Sequence, residues 1–263
     1  MQLKYSYYHF ASALSPELCQ KIIDAGLAQL EREKQAGIDT NATTMGGRDK
    51  RAVLQENPNA IPMSNSIQEL VKNNVVDIKT DEEAEKKIFV RDSEVSWLTD
   101  QWIYDLVMPY LNEANRKAGW NFETDYSESL QFTAYHGGGF YGWHADGGSD
   151  NDARYKRFVP GITPTDNPDK TIPPTGYTRN KEYINKVRKL SMTVNLNRPE
   201  DYDGGELEFD YGSHFVNRFY TCEEIKPQGS IIVFPSFIYH QVKPVTRGTR
   251  YSLVMWRLGQ PFK

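Results

Sequence analysis

The stretch YGWHADGGSD, Tyr141 to Asp150, sets a histidine and an aspartate one residue apart between glycines. On a strand, residues i and i+2 point to one face, so His144 and Asp146 can bring an imidazole nitrogen and a carboxylate oxygen side by side. One further ligand would fill three adjacent positions around a metal and leave the others open. That is the two-histidine, one-carboxylate arrangement of non-heme ferrous oxygenases. The chain holds five histidines, His9, His136, His144, His214 and His240. Of the remaining three, His240 in FPSFIYHQVKPV is best placed, just after the apolar strand Ser230 to Phe234. An H-x-D pair alone is a weak signal. What lifts it is the company His240 keeps: a Gly turn, RGTRYSLVMW, feeds a strand on which Arg250 and Ser252 share a face. A buried arginine there can hold a carboxylate bidentately, and Ser252 can add a hydroxyl bond. A metal beside such a clamp points to a dicarboxylate co-substrate that chelates the metal.

Other candidates carry blander readings. His136 precedes glycines outside the H-x-D frame and reads as a loop residue or one supporting the site, while His9 and His214 read as surface or structural. Asp203 in DYDGGELEF reads as a turn with Gly204 and Gly205. Glu206 and Glu208 alternate with Leu207 and Phe209, the pattern of a half-solvated strand. Tyr141, Trp143 and Trp256 flank ligand positions and could line a substrate pocket. Cys19 and Cys222 are too few for a disulfide framework or a thiolate zinc cluster, and read as ordinary thiols. The acidic run DEEAEKK, Asp81 to Lys87, reads as a solvated face or loop.

These groups need a scaffold. Ser15-Pro16-Glu17 is a helix start, and Leu18, Ile22, Ile23, Ala25, Leu27 and Leu30 follow at helical spacing, an apolar stripe that packs on a sheet. A second helix is predicted from about Thr99 to Ala118, with Trp102, Leu106, Tyr110 and Leu111 as contacts and a kink or break at Pro109. From about Glu128 the texture turns to short strands: LQFTAY, KLSMTVNLN, GELEFD, GSIIVFPS and RYSLVMWRL. Between them lies a long polar insertion, about 147–189, whose length suggests a functional lid or a disordered segment. The reading is one α+β, mainly β domain over 1–263: helical and loop support over 1–127, then an antiparallel barrel or sandwich over 128–263.

Composition excludes some functions. At 263 residues with 38% hydrophobic and 25% charged residues, the chain suits a soluble globular protein with a substantial core. A net charge of −4 without a basic stripe argues against nucleic acid or an anionic membrane as main partner. No apolar run approaches the roughly 20 residues of a membrane span. The N-terminal residues lack the charged and apolar regions of a signal peptide, so a reducing cytoplasm is the expected location.

At these residues the sequence resembles the Fe(II)/2-oxoglutarate-dependent oxygenases, specifically the prolyl 4-hydroxylase-like branch. The matching stretches are LQFTAYHGGGFYGWHAD (Leu130–Asp146), LSMTVNLNRPEDYDGGELEF (Leu190–Phe209) and GSIIVFPSFIYHQVKPVTRGTRYSLVMW (Gly229–Trp256). Upstream, ANRKAGWNF resembles the bacterial and phage-type members. The resemblance implies a double-stranded β-helix (jelly-roll, cupin-like) core, Fe(II) held by His144, Asp146 and His240, and 2-oxoglutarate on the iron with its far carboxylate on Arg250. It implies O2 as second substrate and ascorbate as reductant. Tyr135 matches a family position near the co-substrate. Thr193 and Asn195, on the polar face of LSMTVNLN with Leu190, Met192, Val194 and Leu196 opposite, are further candidates. Asp146 favours hydroxylation, since related halogenases lack the carboxylate. The implied substrate is a prolyl residue in a peptide or protein, or else a free amino acid or other small molecule. Two other classes stay open: a non-catalytic cupin-like metal- or ligand-binding module, which would usually show an H-x-H ligand set, and a degenerate oxygenase serving as a scaffold.

Overall fold

The computed structural model describes residues 5–42, 91–148, 154–165, 169–171, 173–174, 176–212 and 218–262. The run DEEAEKK and His214 lie outside them. Two helices carry the chain onto a sheet. α1 (Pro16–Gln35) starts at Ser15, whose side chain accepts from the Leu18 amide at 3.4 Å. Cys19, Ile22, Ile23, Gly26 and Leu30 form its buried stripe, while Leu27, expected to be an apolar contact, is exposed at the margin of that stripe. Gly26 allows the close approach: a Cβ there would lie 2.3 Å from Phe132 Cγ in the sheet below. α2 (Gln101–Lys117) runs unbroken through Pro109, where a kink or break was expected. Proline removes one helical amide donor. The buried Ile103, Val107, Leu111 and Ala114 lie on both sides of it, and their packing holds the helix together. Trp102, Leu106 and Tyr110 are only partly buried at the margin of that stripe.

The strands, numbered along the chain, form two facing sheets. The larger contains β1 (Tyr8–Phe10), β3 (Glu94–Leu98), β4 (Tyr126–Ser127), β5 (Leu130–Tyr135), β9 (Val187–Asn195), β13 (Ile231–Pro235) and β16 (Arg250–Gly259), in the order β1-β13-β9-β16-β5-β3 with β4 beside β16. The smaller contains β2 (Arg91–Asp92), β6 (Phe140–His144), β11 (Leu207–Asp210), β12 (Phe219–Thr221) and β14 (Tyr239–Val242), in the order β12-β11-β14-β6-β2. Their ladders are antiparallel. Short pairs complete the set: β10 (Tyr202–Gly204) with β15 (Val245–Gly248), and the parallel β7 (Lys156–Arg157) with β8 (Tyr177–Thr178). This is the mainly β, double-stranded β-helix architecture with helical support. The strands at Tyr8–Phe10, Arg91–Asp92 and Glu94–Leu98 stand beside the helices and loops expected to dominate 1–127.

Strand alternation gives the larger sheet two different faces. Leu130, Phe132, Leu190, Met192, Val194, Ile231, Val233, Leu253 and Met255 pack outward in one core with the helices. Ile232 and Phe234 point the other way and join Leu207 and Phe209 of the smaller sheet in a second core. Glu208 is more enclosed than a half-solvated strand position: Thr221 and Gln241 donate to it and Lys243 lies 2.8 Å away. The described part of the insertion meets the rest of the fold through Tyr155, which donates to Glu128 at 3.1 Å, and Tyr183, whose ring lies 5.3 Å from that of Tyr126. Cys19 and Cys222 are buried, free thiols.

Candidate active site

A cavity opens between the two sheets. At one end His144 and His240 stand opposite each other as a cross-strand pair of β6 and β14. With Asp146 they bring three potential ligand atoms within 4.8 Å of one another. Each histidine has its Nδ1 turned onto a backbone carbonyl two residues back, Gly142 O at 2.7 Å and Ile238 O at 2.9 Å. A carbonyl only accepts, so Nδ1 carries a proton and donates there, and Nε2 is the nitrogen left facing the cavity. Nε2 of His144 lies 3.5 Å from Asp146 Oδ1, and Nε2 of His240 lies 3.7 Å from Oδ2. Burial, then His144, push the His240 pKa down to about 4 against the pull of Asp146, so the ring is neutral at neutral pH. For Asp146, burial works to raise the pKa, but His240, His144 and Arg188 outweigh it and hold the carboxyl well below its usual range. Two imidazole nitrogens with an ionised carboxylate are the donor set that a ferrous ion takes.

The rings are braced from behind. Tyr141 stacks on His144 with centroids 3.5 Å apart and planes 11° from parallel. Arg91 covers the other face of Tyr141 at 4.6 Å and donates from Nε to Ser93 at 2.8 Å. Phe234 meets His240 edge-on at 4.7 Å.

Asp146 lies beyond the end of β6 and is gripped by other elements. Ser191 of β9 donates to Oδ2 at 2.7 Å, and Ser236 lies 2.9 Å from the Ser191 hydroxyl. Arg188 donates from Nη1 to the Asp146 carbonyl at 3.4 Å while forming a bidentate pair with Glu128, both bonds 2.6 Å. Its guanidinium lies 3.9 Å from the Trp256 ring, and Tyr155 of the insertion donates to Glu128 at 3.1 Å.

The other end of the cavity belongs to the larger sheet. Arg250 is 2% exposed, and its Nε has no hydrogen-bond partner. No ion pair forms between it and any described carboxylate, and its guanidinium carbon lies 5.6 Å from the ring of its cross-strand neighbour Tyr135. Gly205 packs against the arginine stem, where a Cβ would lie 2.9 Å from Arg250 Cδ. A buried cation without an acceptor is costly, and a carboxylate brought by a ligand would relieve it.

Of the expected residues, Tyr135, Thr193, Ser252, Tyr141 and Trp256 line the cavity with the three ligands and Arg250. Asn195 does not. Its amide donates to the carbonyls of Asn197 and Lys226, and its oxygen accepts from Tyr202. Trp143 is also elsewhere, with its ring 5.3 Å from that of Phe219. His136 is tied to Glu94 at 2.9 Å and Thr249 at 3.2 Å, and Asp203 pairs with Arg247 across β10 and β15. Sequence reasoning missed Ser191, Arg188, Glu128, Arg91 and Gln131, the last a cavity residue of β5. For Ser191 the signal was present: it shares the polar face of β9 with Thr193.

Comparison with known proteins agrees with this geometry. A family model described as the 2OG-Fe(II) oxygenase superfamily matches residues 130–257. A PKHD-type hydroxylase of Herminiimonas arsenicoxydans is 34% identical over 126 residues, 48% of this chain and 41% of the relative. One from Hyphomonas neptunium is 36% identical over 127 residues, again 48% and 41%. The chain thus spans less than half the length of the curated relatives it matches. Among solved structures, a Pseudomonas putida prolyl-4-hydroxylase gives a TM-score of 0.50 at 16% identity, covering 97% of this chain and 92% of the other. The viral collagen prolyl hydroxylase of Paramecium Bursaria Chlorella virus-1, solved as a 2OG complex, gives 0.52 at 16% identity, covering 97% of each chain. At that identity the likeness speaks for the double-stranded β-helix fold.

Proposed function

Because residues 130–257 match the model of the 2OG-Fe(II) oxygenase superfamily, we propose that this chain is an Fe(II)- and 2-oxoglutarate-dependent dioxygenase. In this reading it hydroxylates a substrate C–H bond on a prolyl residue of a peptide or protein. One observation carries it: two imidazoles and a carboxylate converge at one end of a cavity whose other end holds a buried, unpaired arginine. His144, Asp146 and His240 would hold the iron; Arg250, with Ser252, Thr193 and Tyr135, would receive the far carboxylate of 2-oxoglutarate. When bound, the metal and co-substrate supply oxygen activation, with 2-oxoglutarate decarboxylated to succinate and CO2.

The chain's own part is positional. The backbone carbonyls hold both imidazoles at Nδ1, which leaves Nε2 of each as the nitrogen turned to the metal. Arg250 orients the dicarboxylate by geometry as well as charge. Aromatic and aliphatic walls, Phe234, Val242, Leu207 and Trp256, keep bulk water from the reacting end. The prolyl substrate is supported by the names of the relatives, PKHD-type and prolyl hydroxylases. A polypeptide rather than a free amino acid is supported by the insertion, which is seated beside the cavity through Tyr155 and Glu128.

The test is direct. Fe(II) and 2-oxoglutarate added to the protein without oxygen should give the visible charge-transfer band of the chelate, and air with ascorbate should then yield succinate. No band and no succinate would end the oxygenase reading. A screen of proline-containing peptides and free amino acids for a mass gain of one oxygen decides the substrate class, and turnover confined to free amino acids would remove the peptide.

A further inference from the structure

The two histidines and the aspartate are held by different means. His144 and His240 are fixed by the ladder between β6 and β14. Asp146 follows the last residue of β6 and is in no strand, so no ladder sets its orientation. An aspartate χ2 is a broad, two-fold torsion. Left to itself, the carboxylate would spread over orientations that present either oxygen, both, or neither. What restrains it comes from across the cavity. Ser191 donates its only hydroxyl proton to Oδ2 at 2.7 Å. The 2.9 Å contact between Ser191 and Ser236 must then run from Ser236 to Ser191. Both serines are fully buried, so water does not compete for these bonds. Ser236 is anchored in turn: its amide donates to Lys189 and its carbonyl accepts from Gly147, next to the aspartate. Gly147 is needed for that approach, since a Cβ there would lie 2.7 Å from the Arg188 carbonyl oxygen.

We propose that Ser191 is the positioning residue of the metal centre: with its hydroxyl oriented by Ser236, it occupies Asp146 Oδ2 and sets the rotation in which the carboxylate meets the metal. This rests on the iron reading of the site but concerns residues that touch neither metal nor co-substrate. Partners of this kind are commonly worth 10–100-fold in metal affinity.

The experiment is a Co(II) titration of the whole protein, read by the visible ligand-field bands of the bound ion, with no turnover involved. Wild type should bind, and Asp146→Ala should not. Ser191→Ala should bind about 10–100-fold more weakly, with altered band intensity as the carboxylate changes its mode of attachment. Ser191→Thr, which keeps the hydroxyl, should restore the wild-type bands. Ser191→Ala with wild-type affinity and spectrum would overturn the proposal. If Ser191→Ala fails to fold, Ser236→Ala decides: weaker binding with shifted bands is expected, and an unchanged titration is the overturning result. Failure of the iron reading looks different, because wild type itself would then bind no Co(II) that Asp146→Ala abolishes.

Discussion

The two ends of the cavity are built on opposite principles. At the ligand end, His144 and His240 are matched at Nδ1 by backbone carbonyls and Asp146 by Ser191. These groups are arranged before any ion arrives. At the other end Arg250 is as deeply buried, yet its Nε is without a partner, and so is Nε1 of Trp256. A metal ion brings charge but no geometry, so the protein supplies the geometry in advance. The proposed dicarboxylate would bring its own acceptors, so there the protein would supply an unmet donor and tolerate the cost of keeping it empty. Preorganisation and deliberate incompleteness thus sit at the two ends of one cavity.

Four measurements test that contrast. The largest effect is expected at the ligand end, where Asp146→Ala or His240→Ala should abolish metal binding and bring succinate formation to background. Retained binding in both would mean that the convergent atoms are not a metal site. At the other end Arg250→Ala should weaken 2-oxoglutarate by about 100-fold, from a charge-assisted pair of roughly 1.5–3 kcal/mol, while Co(II) affinity stays at wild type. If metal affinity fell equally, the two ends would not be separable. Arg250→Met sharpens the point by stability: removing an unpaired buried cation should make the ligand-free protein more stable, by roughly 1–4 kcal/mol, as urea melts would show. A net loss would mean that the arginine is already satisfied.

The smallest effect is on pH dependence. The folded protein keeps His240 neutral down to about pH 4, while the unfolded chain binds that proton near 6.5. Metal-free protein should therefore lose stability as pH falls through that window, with Tm dropping several degrees. The part due to His240 levels off below pH 4. Asp146, held low by its surroundings, adds a loss at still lower pH. A His240→Asn variant should flatten the upper window, and an unchanged slope there would assign it to other groups.

Legibility in the sequence followed the same division. That His144, Asp146, His240 and Arg250 come together on one cavity was readable because strand alternation and motif spacing act on neighbours in the chain. Ser191 was not, because a serine in a strand gains meaning only from the carboxylate another element sets against it. Asn195 shows the converse limit. Parity gave the right face of β9, but depth along the barrel decided the partner, and Tyr202 and Lys226 were there rather than a ligand. The helices were visible from periodicity and Ser15, yet Leu27 faces out, since apolar identity does not say which stripe the sheet will cover. Pro109 misled for a related reason: local propensity favours a break, and tertiary packing overrides it. The edge strands at Tyr8–Phe10 and Glu94–Leu98 are defined mainly by their pairing with β13 and β5, partners far along the chain.

The cross-strand pairing of His144 with His240 reaches into folding as well as chemistry. A slip of β14 by one residue would turn His240 out to the surface now held by Tyr239. The three donor atoms therefore exist as a set only in a molecule whose smaller sheet has closed in register. An ion that grips the set grips no misregistered chain. At 100 times its dissociation constant it favours the correct form by about 2.7 kcal/mol. Under the proposed function the site would act as a proofreader of its own assembly, and refolding yield should rise with divalent metal in a way that Asp146→Ala erases.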